Sequence, residues 1–476
     1  MIFTPQSNQH KVGIIIPVYN RKKDSIELLN SIFKMDYNNF NVIVVDNGST
    51  DNIDEITNLY PSISIIKNEI NCGVGSGFNK GIKYAISEHI YKYLWLLDSD
   101  LLVDKSCLSV LVNVLEKDEK IGIAGAKILN KNNPNFIVET GAKTDLKTGQ
   151  VFPLFCNEPD FPSNEVFEVD YVGCGISLIR VDAIKNVGLL DERYFFLWED
   201  TDYGLAMSRK GYKIVSVSNA IVYHPPFTEK RSVSVDAYYG VRSPLLTVSK
   251  YSDNLSKAKY IYNVLRRIFK GAVFRFINGY HRLALLSLLA VWDFTANNWG
   301  ELKPLKKLLP LNDNNKKKRG ELIDNKIKKI LILPSGTDQS IKQLIDRLQS
   351  ENNNIQISLV VQNYRRFLFE SLLKSEIILY NDKSKYLLFE HGLLFIKLLF
   401  KNFDLVINPN PERGSPFTYV SKEVYEWDEE SGSLFKSSEN IFSLWKLAVS
   451  VIVGEILALV SLPLVYLSSF RYRIGD

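Results

Sequence analysis

The sequence predicts an α/β protein: a sheet flanked by helices, a helical segment, a second small α/β module and a C-terminal membrane helix. Three observations predict it. Short β-branched runs alternate with helical stretches from Val12 to about Tyr251, the alternation returns from Ile327, and residues 447–470 are almost wholly apolar. Apolar strands joined by crossover helices bury both faces of a mainly parallel sheet. The 476 residues leave room for two to four domains at roughly 100–200 residues each.

Hydrophobic residues make up 46% and charged residues 23%, which excludes a disordered, collagen-like or coiled-coil chain for most of the length. Lys and Arg number 58 against 53 Asp and Glu, and a net charge of +5 is too small to point to a nucleic acid partner. The four cysteines lie far apart without C-x-x-C spacing, so neither a disulfide scaffold nor a zinc ribbon is expected.

Residues 1–11 hold no apolar run, and no secretory signal peptide is expected there. The first domain is placed at 1–251. Strands are expected at 12–17, 42–46, 63–67 and 93–97, with helices at 24–35 and 74–87. Residues 252–300 are rich in Leu, Phe, Tyr and Arg, the composition of a helical segment that lies in a membrane interface or packs on the sheet. Residues 301–326 carry two prolines, Asn clusters and the run Lys316-Lys317-Lys318-Arg319, and read as a basic linker. Residues 327–440 form a small α/β module without an evident catalytic constellation. Strands are expected at 330–333, 355–361 and 404–408, and a helix at 339–349.

Residues 445–472 close the chain as a membrane-anchoring helix. Its apolar stretch is long enough to span a bilayer core, which needs about 20 residues. Glu455 is its only charge, and Pro463 interrupts it. A buried core helix and an in-plane anchor are the alternatives.

Five features carry chemistry. Pro17-Val18-Tyr19-Asn20-Arg21 and Val45-Asp46-Asn47-Gly48-Ser49-Thr50-Asp51 end strands, where open α/β sheets bind ligands. Asp46 is suited to accept the imide N–H of a uracil or thymine, or else to cap the next helix, as Asp51 also could. The run from Asn71 to Gly81 brings glycines to a helix start, which suits phosphate or simply a tight turn. Asp98-Ser99-Asp100 follows an apolar strand, so both carboxylates can reach one hard cation, although a lone D-x-D is common by chance. Trp198-Glu199-Asp200-Thr201-Asp202-Tyr203-Gly204 groups three acids beside aromatics, the setting of a general base or of an ordinary helix start. Finally His224 follows a strand-like run, and in company with Asp100 it would make a plausible metal ligand.

In this order, over Val12 to about Tyr251, the five features resemble family 2 glycosyltransferases with the GT-A fold, a Rossmann-like mixed sheet. They are most similar to the galactofuranosyltransferases and the rhamnosyltransferase-like branch. The run from Trp198 to Gly204 looks like the former's W-D-D-x-D-Y-G with Glu199 in place of the first Asp. Tyr238-Tyr239-Gly240-Val241-Arg242 sits where that branch has an aromatic-rich R-N stretch, with Ser243 replacing its Asn.

The resemblance implies that Asp98 and Asp100 bind Mn²⁺ or Mg²⁺ and the donor diphosphate, with His224 as a further metal ligand. Asp46 would contact the base, beside Pro17, Tyr19 and Asn20. Asn71, Gly73 and Asn79 would lie near the donor ribose and phosphates. Asp200 would be the general base, helped by Glu199, while Trp198, Glu199 and Asp202 would hold the acceptor. It further implies an inverting transfer from a nucleotide sugar, UDP or dTDP favoured, to a lipid-linked or glycan acceptor at the cell membrane, from the cytoplasmic side. A sugar nucleotidyltransferase and a non-catalytic nucleotide-sugar-binding scaffold are the competing readings. The former has no need of the Glu199–Asp200 pair, and the latter has no need of Asp98, Asp100, Asp200 and His224 together.

Overall fold

The computed structural model describes residues 10–156, 158–225, 233–277 and 281–302. In the C-terminal third it describes 327–333, 338–351, 355–362, 369, 376–380, 394–398, 400–409, 417, 420, 421, 423–428, 433–437 and 444–472. The linker at 303–326 lies outside the described residues.

The chain opens with β1 (Val12–Val18), α1 (Lys22–Ile32), β2 (Phe40–Asp46), α2 (Ile56–Leu59), β3 (Ser64–Lys67), α3 (Val74–Ser87) and β4 (Tyr93–Leu97). β1, β2 and β4 are rich in Val, Ile and Leu and are almost wholly buried, and the edge strand β3 is only partly covered, so they pair in parallel with helices above and below. β1 pairs with β2 and β4, and β2 with β3, all in parallel.

The next elements are β5 (Leu102–Val103), α4 (Cys107–Lys117), β6 (Ile121–Asn130), β7 (Asn133–Glu139), the small hairpin of β8 (Ala142–Asp145) and β9 (Gln150–Pro153), and β10 (Val166–Val169). After them come β11 (Ile176–Arg180), α5 (Val181–Val187), α6 (Glu199–Arg209) and β12 (Lys213–His224). The main sheet has ten strands, in the order β10-β12-β6-β11-β4-β1-β2-β3, with β5 beside β12 and β7 beside β6. β11 runs antiparallel between β4 and β6, so the sheet is mixed, as the resemblance implies, and not mainly parallel, as the strand pattern alone suggests.

A layer of long helices follows: α7 (Val233–Tyr251), α8 (Asn254–Ile277) and α9 (His281–Ala296). They share a second hydrophobic core with the final helix and with Phe195, Phe196, Leu197 and Trp198. The C-terminal module begins with β13 (Lys329–Ile332), α10 (Asp338–Glu351), β14 (Gln356–Gln362) and β15 (Ile377–Tyr380), and continues with β16 (Leu405–Asn408), β17 (Val424–Asp428) and β18 (Ser433–Lys436). Its strands form a sheet of order β15-β14-β13-β16-β17-β18, parallel except for β17 with β18.

The last helix, α11 (Leu444–Ser469), packs along α8. The stretch Ala448–Tyr472 is long and apolar enough to cross a membrane, and most of it is exposed. Its single acid, Glu455, meets Arg266 Nε at 2.5 Å, Lys270 Nζ at 3.3 Å and the Tyr262 hydroxyl, all from α8. Gly454 makes the close approach: a Cβ there would stand 2.6 Å from the Lys270 backbone nitrogen and 2.7 Å from its Cα. Gly454→Val should therefore push α11 off α8. Overpacking of this kind costs about 1–3 kcal/mol, and the thermal midpoint in detergent should fall by several degrees. An unchanged midpoint would mean that the two helices do not pack here.

Candidate active site

The C-terminal ends of β1, β2 and β4 meet in register, because Pro17 pairs with Val45 and Val12 with Tyr93. Beyond them opens a cleft of about 1180 Å³. Pro17, Tyr19, Asn71, Gly73, Asp98, Asp100, Trp198, Glu199, Asp200 and His224 all line it. The structure thus brings together side chains that are spread over more than 200 residues of sequence.

Asp98 sits at the end of β4 with its backbone N–H on the Gly175 carbonyl at 3.1 Å. A Cβ on Gly175 would fall 2.1–2.4 Å from the Asp98 carboxyl carbon and oxygens, so glycine there leaves the carboxylate its space. Burial, and then the negative charge of Asp100, push the Asp98 carboxyl up to about 6. Asp100 accepts from Arg21 Nη1 at 2.7 Å, and its other oxygen lies 3.3 Å from His224 Nε2. Among the described residues, no group of three or more His, Cys, Asp or Glu side chains is spaced to hold a metal ion.

The opposite wall is the approach to α6. Leu197 and Trp198 both adopt positive φ, 66° and 73°, and turn the chain sharply into the helix. Non-glycine residues rarely take this conformation. Packing holds it: Phe195 stacks on Tyr239 with centroids 5.8 Å apart, and Ser243 donates to the Phe196 carbonyl at 3.3 Å. Gly73 closes against the same segment, since a Cβ there would meet the Phe195 carbonyl oxygen at 2.5 Å. Val74 N–H donates to that oxygen at 3.1 Å. Asp200, in the first turn of α6, accepts from the Thr201 N–H at 2.6 Å and from its hydroxyl at 3.2 Å.

Four expected residues stand outside the cleft lining. Asp46 is buried and accepts the Ser49 N–H at 2.8 Å, closing the turn after β2, while its neighbour Asn47 lines the cleft instead. Asn20 is exposed and bridges to Ser49 and Thr50. Asn79 is buried on α3, where it holds both the Leu190 N–H and carbonyl. Asp202 faces away from the cleft and pairs with Lys250 Nζ at 2.5 Å. Asp51 accepts the Lys22 N–H at 2.8 Å, at the start of α1.

Lys250 is nearly fully buried between Asp202 and Asp191, which also holds Arg193. Burial drives the Asp202 carboxyl up against the pull of Lys250. At Asp191 burial is outweighed by Arg193 and Lys250, which hold it well below the usual carboxylate range. This network ties α7 to both ends of the segment that carries Trp198, Glu199 and Asp200.

The sequence reading assigned no role to Arg21, Asn47, Arg267 or Arg275, all of which line the cleft. For Arg267 and Arg275 the available signal was their i, i+8 spacing on one helical face.

Residues 13–188 match the model of Glycosyl transferase family 2. Over 148 residues the chain is 33% identical to an uncharacterized glycosyltransferase of Rickettsia conorii, covering 31% of this chain and 24% of that one. Over 130 residues it is 30% identical to glycosyltransferase GlyG of Streptococcus pneumoniae, covering 26% and 42%. The chain thus spans less than half the length of either relative. A solved mannosyltransferase from Pyrobaculum calidifontis, in complex with GDP-Man and Mn²⁺, is 14% identical over 66% of this chain and 82% of that one, with a TM-score of 0.39.

Lys250→Met should destabilise the fold by about 3–5 kcal/mol, because it leaves the buried Asp202 carboxylate without its cation, while Asp191 keeps Arg193. Thermal or denaturant unfolding reads this directly. A loss below about 1 kcal/mol, the range of an exposed pair, would mean that the network is not buried.

Proposed function

We propose that this chain, which carries a family 2 glycosyltransferase domain at residues 13–188, moves a sugar from a nucleotide-sugar donor to a membrane-held acceptor by an inverting displacement. The observation that carries the reading is one cleft with two functional walls. Asp98 and Asp100 end the sheet on one side, and Trp198, Glu199 and Asp200 face the same space from α6. The α6 wall lies beyond the family match, so its role rests on geometry.

The donor nucleotide lies along the strand ends, between Pro17, Tyr19, Asn47, Asn71 and Gly73. UDP or dTDP is the favoured nucleotide. Asp98, Asp100 and His224 supply carboxylate oxygens and an imidazole, donor types that Mn²⁺ or Mg²⁺ takes, but they are not spaced here to close together on one ion. Burial, and after it the charge of Asp100, raises Asp98, and a cation beside the two carboxylates would offset both effects. When bound, such an ion offsets the charge growing on the leaving diphosphate.

Asp200 accepts the proton of the acceptor hydroxyl, with Thr201 fixing the carboxylate. The acceptor oxygen forms its bond to the anomeric carbon as the bond to the diphosphate oxygen breaks. The electron pair leaves with the nucleoside diphosphate. One displacement inverts the anomeric centre. Glu199 and Trp198 hold the acceptor beside Asp200. α11 anchors the protein to the cell membrane with the cleft on the cytoplasmic side, where a lipid-linked or surface-glycan acceptor is within reach.

Asp200→Asn should cut transfer by roughly 10²- to 10⁴-fold, the usual contribution of a general base, while nucleotide-sugar binding persists in calorimetry. Unchanged turnover would refute the assignment and favour a scaffold or nucleotidyltransferase. Removing residues 447–476 should abolish flotation with lipid vesicles. Continued flotation would move the membrane contact to α8 and α9.

A further inference from the structure

The far end of the cleft is walled by α8, through Arg267, Ile268, Gly271 and Arg275. Positions 267, 271 and 275 recur every four residues and share one helical face. The two guanidinium-bearing residues are about 12 Å apart along the axis, at 1.5 Å per residue. Gly271 lies between them, and Arg275 folds back over it, with Nη1 3.4 Å from where a Cβ would stand. The cleft therefore has opposite charge at its two ends. Asp98, Asp100, Glu199 and Asp200 stand at the sheet and α6, and the arginines stand on α8.

The other face of α8 carries Tyr262, Arg266 and Lys270, which hold Glu455 of the apolar helix α11. Arg266 and Arg267 are adjacent in sequence but turned to different partners. An anion held by Arg267 and Arg275 thus lies within one helix diameter, about 10–12 Å, of the membrane-anchoring helix. Guanidinium groups are the side chains best matched to phosphate oxygens, which they can bind in pairs.

We propose that Arg267 and Arg275 form a second anionic subsite, which takes the phosphate or diphosphate joining the acceptor to its lipid. This rests on the membrane-held acceptor proposed above and names its chemistry. The subsite grips the acceptor by its charged linkage, and the sugar end of the acceptor extends along the cleft toward Asp200.

The test uses the full chain in detergent micelles with UDP and Mn²⁺ present to fill the donor end. Farnesyl diphosphate, farnesol and inorganic pyrophosphate are titrated separately. The wild type should bind farnesyl diphosphate, and Arg267→Gln with Arg275→Gln should weaken that binding about tenfold or more, the range for lost hydrogen bonds to charged groups. Arg267 is exposed, so Arg267→Gln alone keeps the fold and should already weaken binding severalfold. Lysine at both positions should restore part of it.

Equal binding by the wild type and the double variant overturns the proposal. Farnesol binding as tightly as its diphosphate overturns it as well, since charge would then not be read. Inorganic pyrophosphate binding as tightly as farnesyl diphosphate overturns the assignment to a lipid linkage. UDP binding, followed separately, reports on the donor end. Its absence, and that of dTDP binding in a parallel titration, would sink the proposed donor while leaving the arginine dependence still readable.

Discussion

Two consecutive left-handed residues, Leu197 and Trp198, decide where the α6 wall of the cleft stands. Each such residue costs of order 1–3 kcal/mol and persists only where its surroundings over-determine it. The surroundings come from three directions. Gly73 and Val74 grip Phe195 from the sheet side, Tyr239 and Ser243 hold Phe195 and Phe196 from α7, and Lys250 fixes Asp202 from below. The turn therefore couples the strand ends to the helical layer. The helical layer and the sheet together hold Glu199 and Asp200 opposite Asp98 and Asp100, since Tyr203 and Met207 of α6 also pack into the main core. The segment 233–251 thus belongs structurally to the site, although it bears few of the groups that line the cleft.

Charge is arranged with the same economy. Acids crowd the strand ends and α6, where Asp98 is already pushed up to about 6 by burial and by Asp100. Arg21 and His224 both meet Asp100, so part of that repulsion is compensated within the chain. The deeper network of Lys250, Asp202, Asp191 and Arg193 is closed on itself and faces away from the cleft. Buried charge here is structural when its partners complete it, and available for chemistry when the cleft reaches it.

That distinction explains what the sequence could and could not reveal. The strands were legible because β-branched runs without polar interruption can only be buried on both faces. The second sheet was legible for the same reason, with β13, β14, α10 and β16 within a few residues of the expected positions. The antiparallel insertion of β11 was not, because pairing direction leaves no mark on a five-residue apolar strand. Asp98 and Asp100 were visible from their place after a strand. Asp46, Asn79 and Asp202 carry equally suggestive neighbours, yet their side chains close a turn, hold Leu190 and pair with Lys250. Only the partner distinguishes a carboxylate that faces the cleft from one that is satisfied elsewhere, and Lys250 is 48 residues away from Asp202 in sequence. The composition of residues 252–300 left a membrane interface and packing on the sheet both open, and the fold turns Arg267 and Arg275 to the cleft.

Glu455 completes the logic. In sequence it counts against a membrane helix, because a lone charge within an apolar span is expensive. In the structure it is paired with Arg266 and Lys270 and hydrogen-bonded by Tyr262, all from α8. An acid held by those three residues helps fix the register of α11 along α8, and the tight contact at Gly454 their separation. α8 in turn lines the cleft. The position of the cleft relative to the apolar helix is therefore held by this carboxylate together with the Gly454 contact and the shared core. In the membrane-bound arrangement proposed above, these contacts together would determine how far an acceptor must rise from the bilayer to reach Asp200.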